Sequence, residues 1–319
     1  MTRPAHRNRP PMIEGVSASC VALPGGGAWP LLVDFLAERL PAVSAAQWRQ
    51  RMTDGRVLDE QGRSLPPGTP VTAFAPGARV YYYRELDAEP ALPFDAQIVF
   101  QDAHLIVADK PHFMPVTPTG RYVRNSLLVR LKSATGLETL SPVHRIDRET
   151  AGLVLFSVRP QDRGAYQALF RTQAVDKVYE AIAPLRAQGS DRPLPALHRS
   201  RIEVDPEQFF RQRETEGEPN SETALELVES RPPHALYRLR PRSGKTHQLR
   251  VHMNALGRPI VGDLFYPQVV HGPEAGQDDW TQPLRLLARG LSFLDPVTGA
   301  ARAFTSQRAL DWPDTNAAA

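Results

Sequence analysis

Apolar residues recur at helical spacing in some segments of this chain and crowd into short dense runs in others. The mixture predicts an α+β protein. Leu31, Leu32, Phe35, Leu36 and Leu40 return every three or four positions, which gives one helix an apolar face. Ser44 followed by Gln47 is a capping-box signature for a second helix. DGRVLDEQGRSL, a Gly-Pro-rich turn and GARVYYYREL then read as a hairpin. Strands are expected at residues 97–100 and 105–108, and helices near 125–133 and 160–172. The second of these helices would turn Tyr166, Leu169 and Phe170 inward. The run 153–156, introduced by Gly152, predicts a buried strand. Residues 198–219 are polar and charged. They read either as an arm carrying Arg199, Arg201, Arg211 and Arg213 to phosphates or as a solvated insertion. Strands resume at 223–229 and 235–241. Leu249, Met253 and Leu256 then mark the buried side of a last helix, with Thr246 as its expected cap and Gly257 and Pro259 as its stop.

The domain order expected from these patterns is a disordered tail at 1–27, a small module at 28–88, a large domain at 89–312 and a frayed end at 313–319. Residues 89–93 form the linker. The chain has 319 residues, 41% of them hydrophobic, enough for a large core plus a small one. A net charge of +3 and a pI near 9.1 are mildly basic and do not by themselves establish nucleic-acid binding. Cys20 is the single cysteine, which excludes an internal disulfide framework and suits a reducing compartment. No apolar run approaches a membrane span, and the N-terminus has no apolar h-region. A cytoplasmic monomer is expected.

Residues 144–157, HRIDRETAGLVLFS, carry the most chemistry. His144, Arg145 and Arg148 crowd against Asp147 and Glu149 just before the buried run. A charged loop at a sheet edge is a common way to present a reactive carboxylate. The segment resembles the central motif of the RluA family of pseudouridine synthases, HRLDxxTSGLLL. His144, Arg145, Asp147, Thr150 and Gly152 match; Ile146 and Ala151 depart mildly. Two downstream blocks also resemble that family. In VDKVYEAIAP, Lys177 and Tyr179 share one strand face and match its Lys-x-Tyr. In RSGKTHQLRVHMNALGRPIVGDLFYP, Gly244, Lys245, His247, Gln248, Leu249, Arg250 and His252 match G-[RK]-x-HQ[IL]R-x-H. DKPHFMPVTP resembles the loop DKPxGxxVHP, with Phe113 in place of glycine and Thr117 in place of histidine. LARGLSFLDPVTG resembles HAxxLxFxHPxTG, with Leu287 and Asp295 replacing the histidines. The resemblance covers roughly residues 97–299. The helix-helix-hairpin order of 28–88 resembles a small RNA-binding module of a small-subunit ribosomal protein. Its basic residues are few (Arg49, Arg51, Arg56 and Arg63), and Asp54, Asp59 and Glu60 dilute them.

The family resemblance implies a large mixed, mostly antiparallel sheet with flanking helices and a central cleft, next to the small N-terminal α/β RNA-binding-like module. It implies isomerisation of uridine in structured RNA, ribosomal RNA being the commonest substrate of the family and transfer RNA the alternative, with no cofactor and no metal. Asp147 would be the catalytic carboxylate and Arg250 its two-pronged partner. Tyr179 would pack against the target base, its hydroxyl assisting proton removal from carbon 5. Arg145 would fill the space left by a flipped base or touch a phosphate. His144, Lys110, Lys177, Lys245 and His247 are further RNA-contact candidates. Each is also compatible with an ordinary surface. Competing motifs fail on spacing. SGKT lacks the glycine of a phosphate loop, because Leu239 stands in its place. His247 and His252 are five apart rather than four. Two other classes remain as alternatives: an RNA-binding assembly protein without catalysis, and a metal hydrolase using His144, His247 and His252.

Overall fold

The computed structural model describes residues 10–26, 29–84, 89–186, 193–270, 272 and 279–313. Arg3, Arg7 and Arg9 lie outside them, as does the end from residue 314. The chain divides into two compact units: Met1–Glu89 with Val129–Glu138, and Pro90–Leu128 with Thr139–Ala319. The sequence-based boundary assigned 129–138 to the large domain.

The smaller unit contains β1 (Ser19–Ala22), α1 (Leu32–Arg39), α2 (Ala45–Thr53), β2 (Val57–Leu58) and β3 (Arg79–Tyr82). The capping box forms: the Ser44 hydroxyl accepts from Gln47 N, and the Gln47 side chain accepts from Ser44 N. The helical spacing buries Leu32, Phe35 and Leu36, which pack with Trp48, Met52 and Val80. Each such side chain contributes about 1.5–3 kcal/mol by leaving water. The tail expectation for 1–27 needs correction within the described residues. Residues 19–22 pair in full antiparallel register with β3, and Ala18 and Leu23 are buried. A short strand with little periodicity gave no signal of this until its partner strand was in place. Val129–Glu138 also belongs here, and Lys132 Nζ donates to Ser17 Oγ at 2.8 Å. Arg63, one of the few basic residues of this module, is paired with Asp59 at 2.7 Å.

The larger unit is built on β4 (Gln97–Gln101), β5 (Leu105–Lys110), α3 (Leu127–Thr135, its start), β6 (Ser141–Pro142), β7 (Ala151–Ser157), α4 (Arg163–Arg171) and β8 (Asp176–Pro184). It continues with β9 (Leu197–Val204), β10 (Gln212–Thr215), β11 (Ser221–Arg231), β12 (His234–Pro241), α5 (Gln248–Ala255), β13 (Leu286–Leu294) and β14 (Ala301–Thr305). One sheet of eleven strands runs β10-β9-β11-β12-β8-β13-β7-β5-β4, with β14 on β13 and β6 on β7. Every pairing is antiparallel except β7 with β13. The class is therefore α+β, with a large mixed and mostly antiparallel sheet.

Gly152 explains that parallel junction. Its φ is +109°, and a Cβ there would lie 2.3 Å from Ala288 O. Only glycine permits the close approach of β7 to β13, which fixes the loop ending at Thr150 beside the middle of the sheet. Tyr166, Leu169 and Phe170 of α4 face the core as expected. Residues 198–219 are neither a loose arm nor a plain insertion: β9 and β10 form a hairpin whose first strand pairs with β11. Phe113 occupies its glycine-like position at φ +64° and is buried.

Candidate active site

Three segments meet around a cavity of about 250 Å³: the loop before β7, the middle of β8, and the turn from β12 into α5. Asp147, Lys177, Tyr179, Lys245, His247 and Arg250 all line it, as does Arg145. Residues separated by a hundred positions are thus brought together. Lys177 and Tyr179 share one strand face, as their spacing predicts.

α5 places the guanidinium. Leu249 and Met253 sink into the core with Ile260 and Leu286, and Leu256 packs at its margin. This anchoring leaves Arg250 directed at the cavity floor, only 1% exposed. The start of α5 differs from the expectation. His247, not Thr246, is the cap; it adopts a left-handed φ of +54° and makes no side-chain capping bond. Gln248 instead ties the turn: its Oε1 accepts from Lys245 N and Ser243 Oγ. A non-glycine residue in this conformation costs on the order of 1 kcal/mol or more, and such strain collects at functional sites.

Arg250 pairs differently from the expectation as well. Its two-pronged partner is Asp263, at 2.8 Å from Nε and 2.7 Å from Nη2. A single bond of 3.2 Å runs from Nη1 to Asp147 Oδ2. Asp263 is fully buried and also accepts from the backbone N–H groups of Phe265 and Tyr266. Gly262, at φ +78°, lets the chain pass Pro283 and present this carboxylate. Phe265 and Tyr266 place their rings 4.9 and 5.4 Å from the Arg250 guanidinium carbon. Sequence reading missed Asp263. Its signal was a lone acid within the apolar run 260–266, where a buried charge requires a partner.

Electrostatics favour an ionised Asp147. Burial pushes its carboxyl up, but His247, Arg250 and Arg145 outweigh this and hold it below the usual carboxylate range. The His247 contribution requires a protonated ring, and burial lowers the pKa of that histidine. Arg250 is therefore the dependable partner at neutral pH. Burial works against its charge too, yet Asp263 more than compensates, so the group stays charged. The His247 ring sits between the two networks, with Nδ1 3.2 Å from the Tyr266 hydroxyl and Nε2 3.8 Å from Asp147. Burial, and then the charge of Asp147, raise the Tyr179 phenol well above its ordinary value. The hydroxyl keeps its proton at neutral pH. The protonated phenol can donate or accept a hydrogen bond in the cavity that it lines.

Several RNA-contact candidates are also corrected. Lys110 is completely buried and donates to the carbonyls of Pro111 and Arg148 at 3.0 Å each. Burial lowers its pKa to about 7. It clamps the Asp147 loop and cannot reach a phosphate. His112 adds a second clamp, its Nδ1 donating to Glu149 O at 2.6 Å. His144 accepts from Leu155 N at 3.1 Å and stacks on Phe170. Burial pulls its pKa down to about 3, so the ring is neutral. His247 belongs to the Asp147 network. Lys177 lines the cavity but spends its ammonium on Ser243 O at 2.7 Å. Arg145 and Lys245 are exposed at the rim.

A metal centre of His144, His247 and His252 does not assemble, since the three engage different partners. His252 instead meets His198 and Glu214, with possible ligand atoms within 4.8 Å of one another. Those atoms are already satisfied: His198 Nε2 donates to Glu214, and His252 bonds to Ser200, Ser221 and Thr223 hydroxyls.

Comparison with known proteins identifies the family of the chain. The RNA pseudouridylate synthase family model matches residues 104–255. A ribosomal large subunit pseudouridine synthase D of Xylella fastidiosa is 30% identical over 292 residues, covering 86% of this chain and 84% of that protein. A mitochondrial tRNA pseudouridine(32) synthase of Saccharomyces cerevisiae is 28% identical over 174 residues, 53% of this chain and 37% of that one. The structure of human RNA Pseudouridylate Synthase Domain Containing 1 superposes with a TM-score of 0.53 at 22% identity. It covers 69% of this chain and 86% of the human one, and shows the shared fold. The chain belongs to the RNA pseudouridylate synthase family, in the RluA branch that its motifs resemble, and is an isomerase acting on RNA.

Proposed function

We propose that this protein converts uridine to pseudouridine in ribosomal RNA, with Asp147 as the catalytic carboxylate. The observation that carries the reading is the Asp263–Arg250–Asp147 chain at the floor of the Tyr179 cavity. The reaction breaks the bond from ribose to uracil nitrogen 1 and forms a bond to carbon 5. The carbon-5 proton leaves and nitrogen 1 gains one, so the atoms balance without a redox partner. An ionised carboxylate serves whether it adds to a carbon or removes a ribose proton. Arg250, locked by Asp263, supplies a fixed charge that keeps it ionised.

The base must leave its helix to enter, at a cost of a few kcal/mol. Stacking on Tyr179 returns about 1–3 kcal/mol. Ribosomal RNA is favoured over transfer RNA because the relative named for the ribosomal large subunit aligns along most of the chain. The test is pseudouridine mapping of total RNA from cells with and without the protein. A lost modification in ribosomal RNA is expected. Loss confined to transfer RNA moves the substrate, and no loss anywhere favours a non-catalytic assembly role.

A further inference from the structure

A second cleft, of about 570 Å³, borders the catalytic cavity and shares Ser243 with it. Its walls carry Arg199 from β9, Glu222 from β11 and Arg242 just past the end of β12. The antiparallel register sets Arg199 directly opposite Glu222. Arg199 Nε closes that pair at 2.6 Å, whereas Arg242 approaches the second carboxylate oxygen only to 3.7 Å. Two guanidinium charges therefore share one carboxylate, which leaves a surplus positive charge on a concave polar surface.

The two arginines remain available. Their side chains are 59% and 75% exposed, against 23% for Glu222. Arg199 directs one of its five N–H donors at Glu222 and keeps the others. Arg242 is beyond hydrogen-bond distance and reorients at little cost. Arg199 is fixed and Arg242 adjustable, a suitable pair for gripping a tetrahedral anion. Continuity decides which anion. Ser243 lines both cavities, and it is also the residue whose carbonyl holds Lys177 of the catalytic cavity.

We infer that this cleft binds a backbone phosphate of the RNA strand adjoining the nucleotide seated at Asp147, with Arg199 and Arg242 as its donors. The inference rests on the uridine-cavity reading above. It gives the strand a direction of exit, past Ser243 toward β9 and β11.

The test is anisotropy titration of a short labelled oligouridylate at several salt concentrations. The Arg199→Ala/Arg242→Ala double variant is expected to bind about tenfold more weakly at low salt. Its log–log salt slope should be shallower by about 0.7, the value for one phosphate on a single strand. Glu222→Gln removes the neutralising charge and should tighten binding, a change of opposite sign that a folding defect does not mimic. Neutral methylphosphonate linkages flanking the central uridine should weaken the wild-type protein and leave the double variant unaffected. Unchanged affinity and slope in both variants overturn the site. So does equal sensitivity of wild type and double variant to the neutral linkages, or a wild type that fails to bind the oligomer. Pseudouridine formation by the same wild-type preparation separates the two levels. Turnover with unchanged slopes removes only the phosphate site, whereas no turnover on total RNA removes the uridine-cavity reading beneath it.

Discussion

Arg250 and His252 stand two positions apart on α5, are both buried, and serve opposite ends. Arg250 is kept charged by a carboxylate deeper in the fold and turns one N–H toward a cavity that holds Asp147. His252 is kept neutral by burial. Hydroxyls satisfy both of its ring nitrogens, and it opens on no described cavity. Burial alone therefore does not identify a working group. A charge that is over-supported on one side and shared with an accessible partner on the other can do chemistry; a closed polar network holds structure.

The sharpest way to break this contrast is Asp147→Asn, which preserves shape and removes the charge. Loss of pseudouridine formation by at least about 10³-fold is expected, since general acid–base or nucleophilic action is worth that order. Near-normal single-turnover rates would end the assignment.

Asp263→Ala tests the support behind Arg250. It strands a buried cation, so a stability loss of about 3–5 kcal/mol is expected in urea titration. Asp263→Asn retains hydrogen-bonding atoms and should fold better, yet still lose rate as Arg250 loosens. The rate should recover partly at higher pH if ionisation of Asp147 has become limiting. An Asp263→Asn protein with wild-type rate and pH profile would make Asp263 purely structural.

The His252 side of the contrast predicts a pH dependence. Burial, followed by repulsion from His198, lowers its folded pKa to about 4, whereas the unfolded value is about 6.5. The unfolded chain binds more protons between these values. The stabilisation is fully present above pH 6.5 and is lost as pH falls toward 4. For His252 it amounts to about 3 kcal/mol. His112 and His144 add in the same direction. His252→Gln should flatten part of the decline in urea midpoint between pH 7 and 5. An unchanged decline would show that His252 is not the titrating group.

The smallest effect concerns Tyr179. Replacement by Ala should cost about 1–3 kcal/mol of RNA affinity, and replacement by Phe very little. Equal losses would contradict stacking.

The two helices of the small unit, the buried strand after Gly152, the apolar side of α5 and the identity of Asp147, Tyr179 and Arg250 as candidates were legible in the chain. Each depends on local period or on a contiguous motif. The sequence could not assign Arg250 its stronger partner. Asp263 lies thirteen positions away beyond a turn, and only the passage of Gly262 against Pro283 brings it under the guanidinium. Nor could it tell Lys110 and His144 from surface cations, because burial is a property of the assembled sheet. The strand at 19–22 and the hairpin of β9 and β10 share that reason: a short strand is defined by the neighbour it pairs with. Local chemistry along the chain determined which side chains this protein has to work with. Tertiary packing decided which of them keep a charge, which lose it, and which face the cavity, because solvation and long-range pairing exist only once distant segments are in contact.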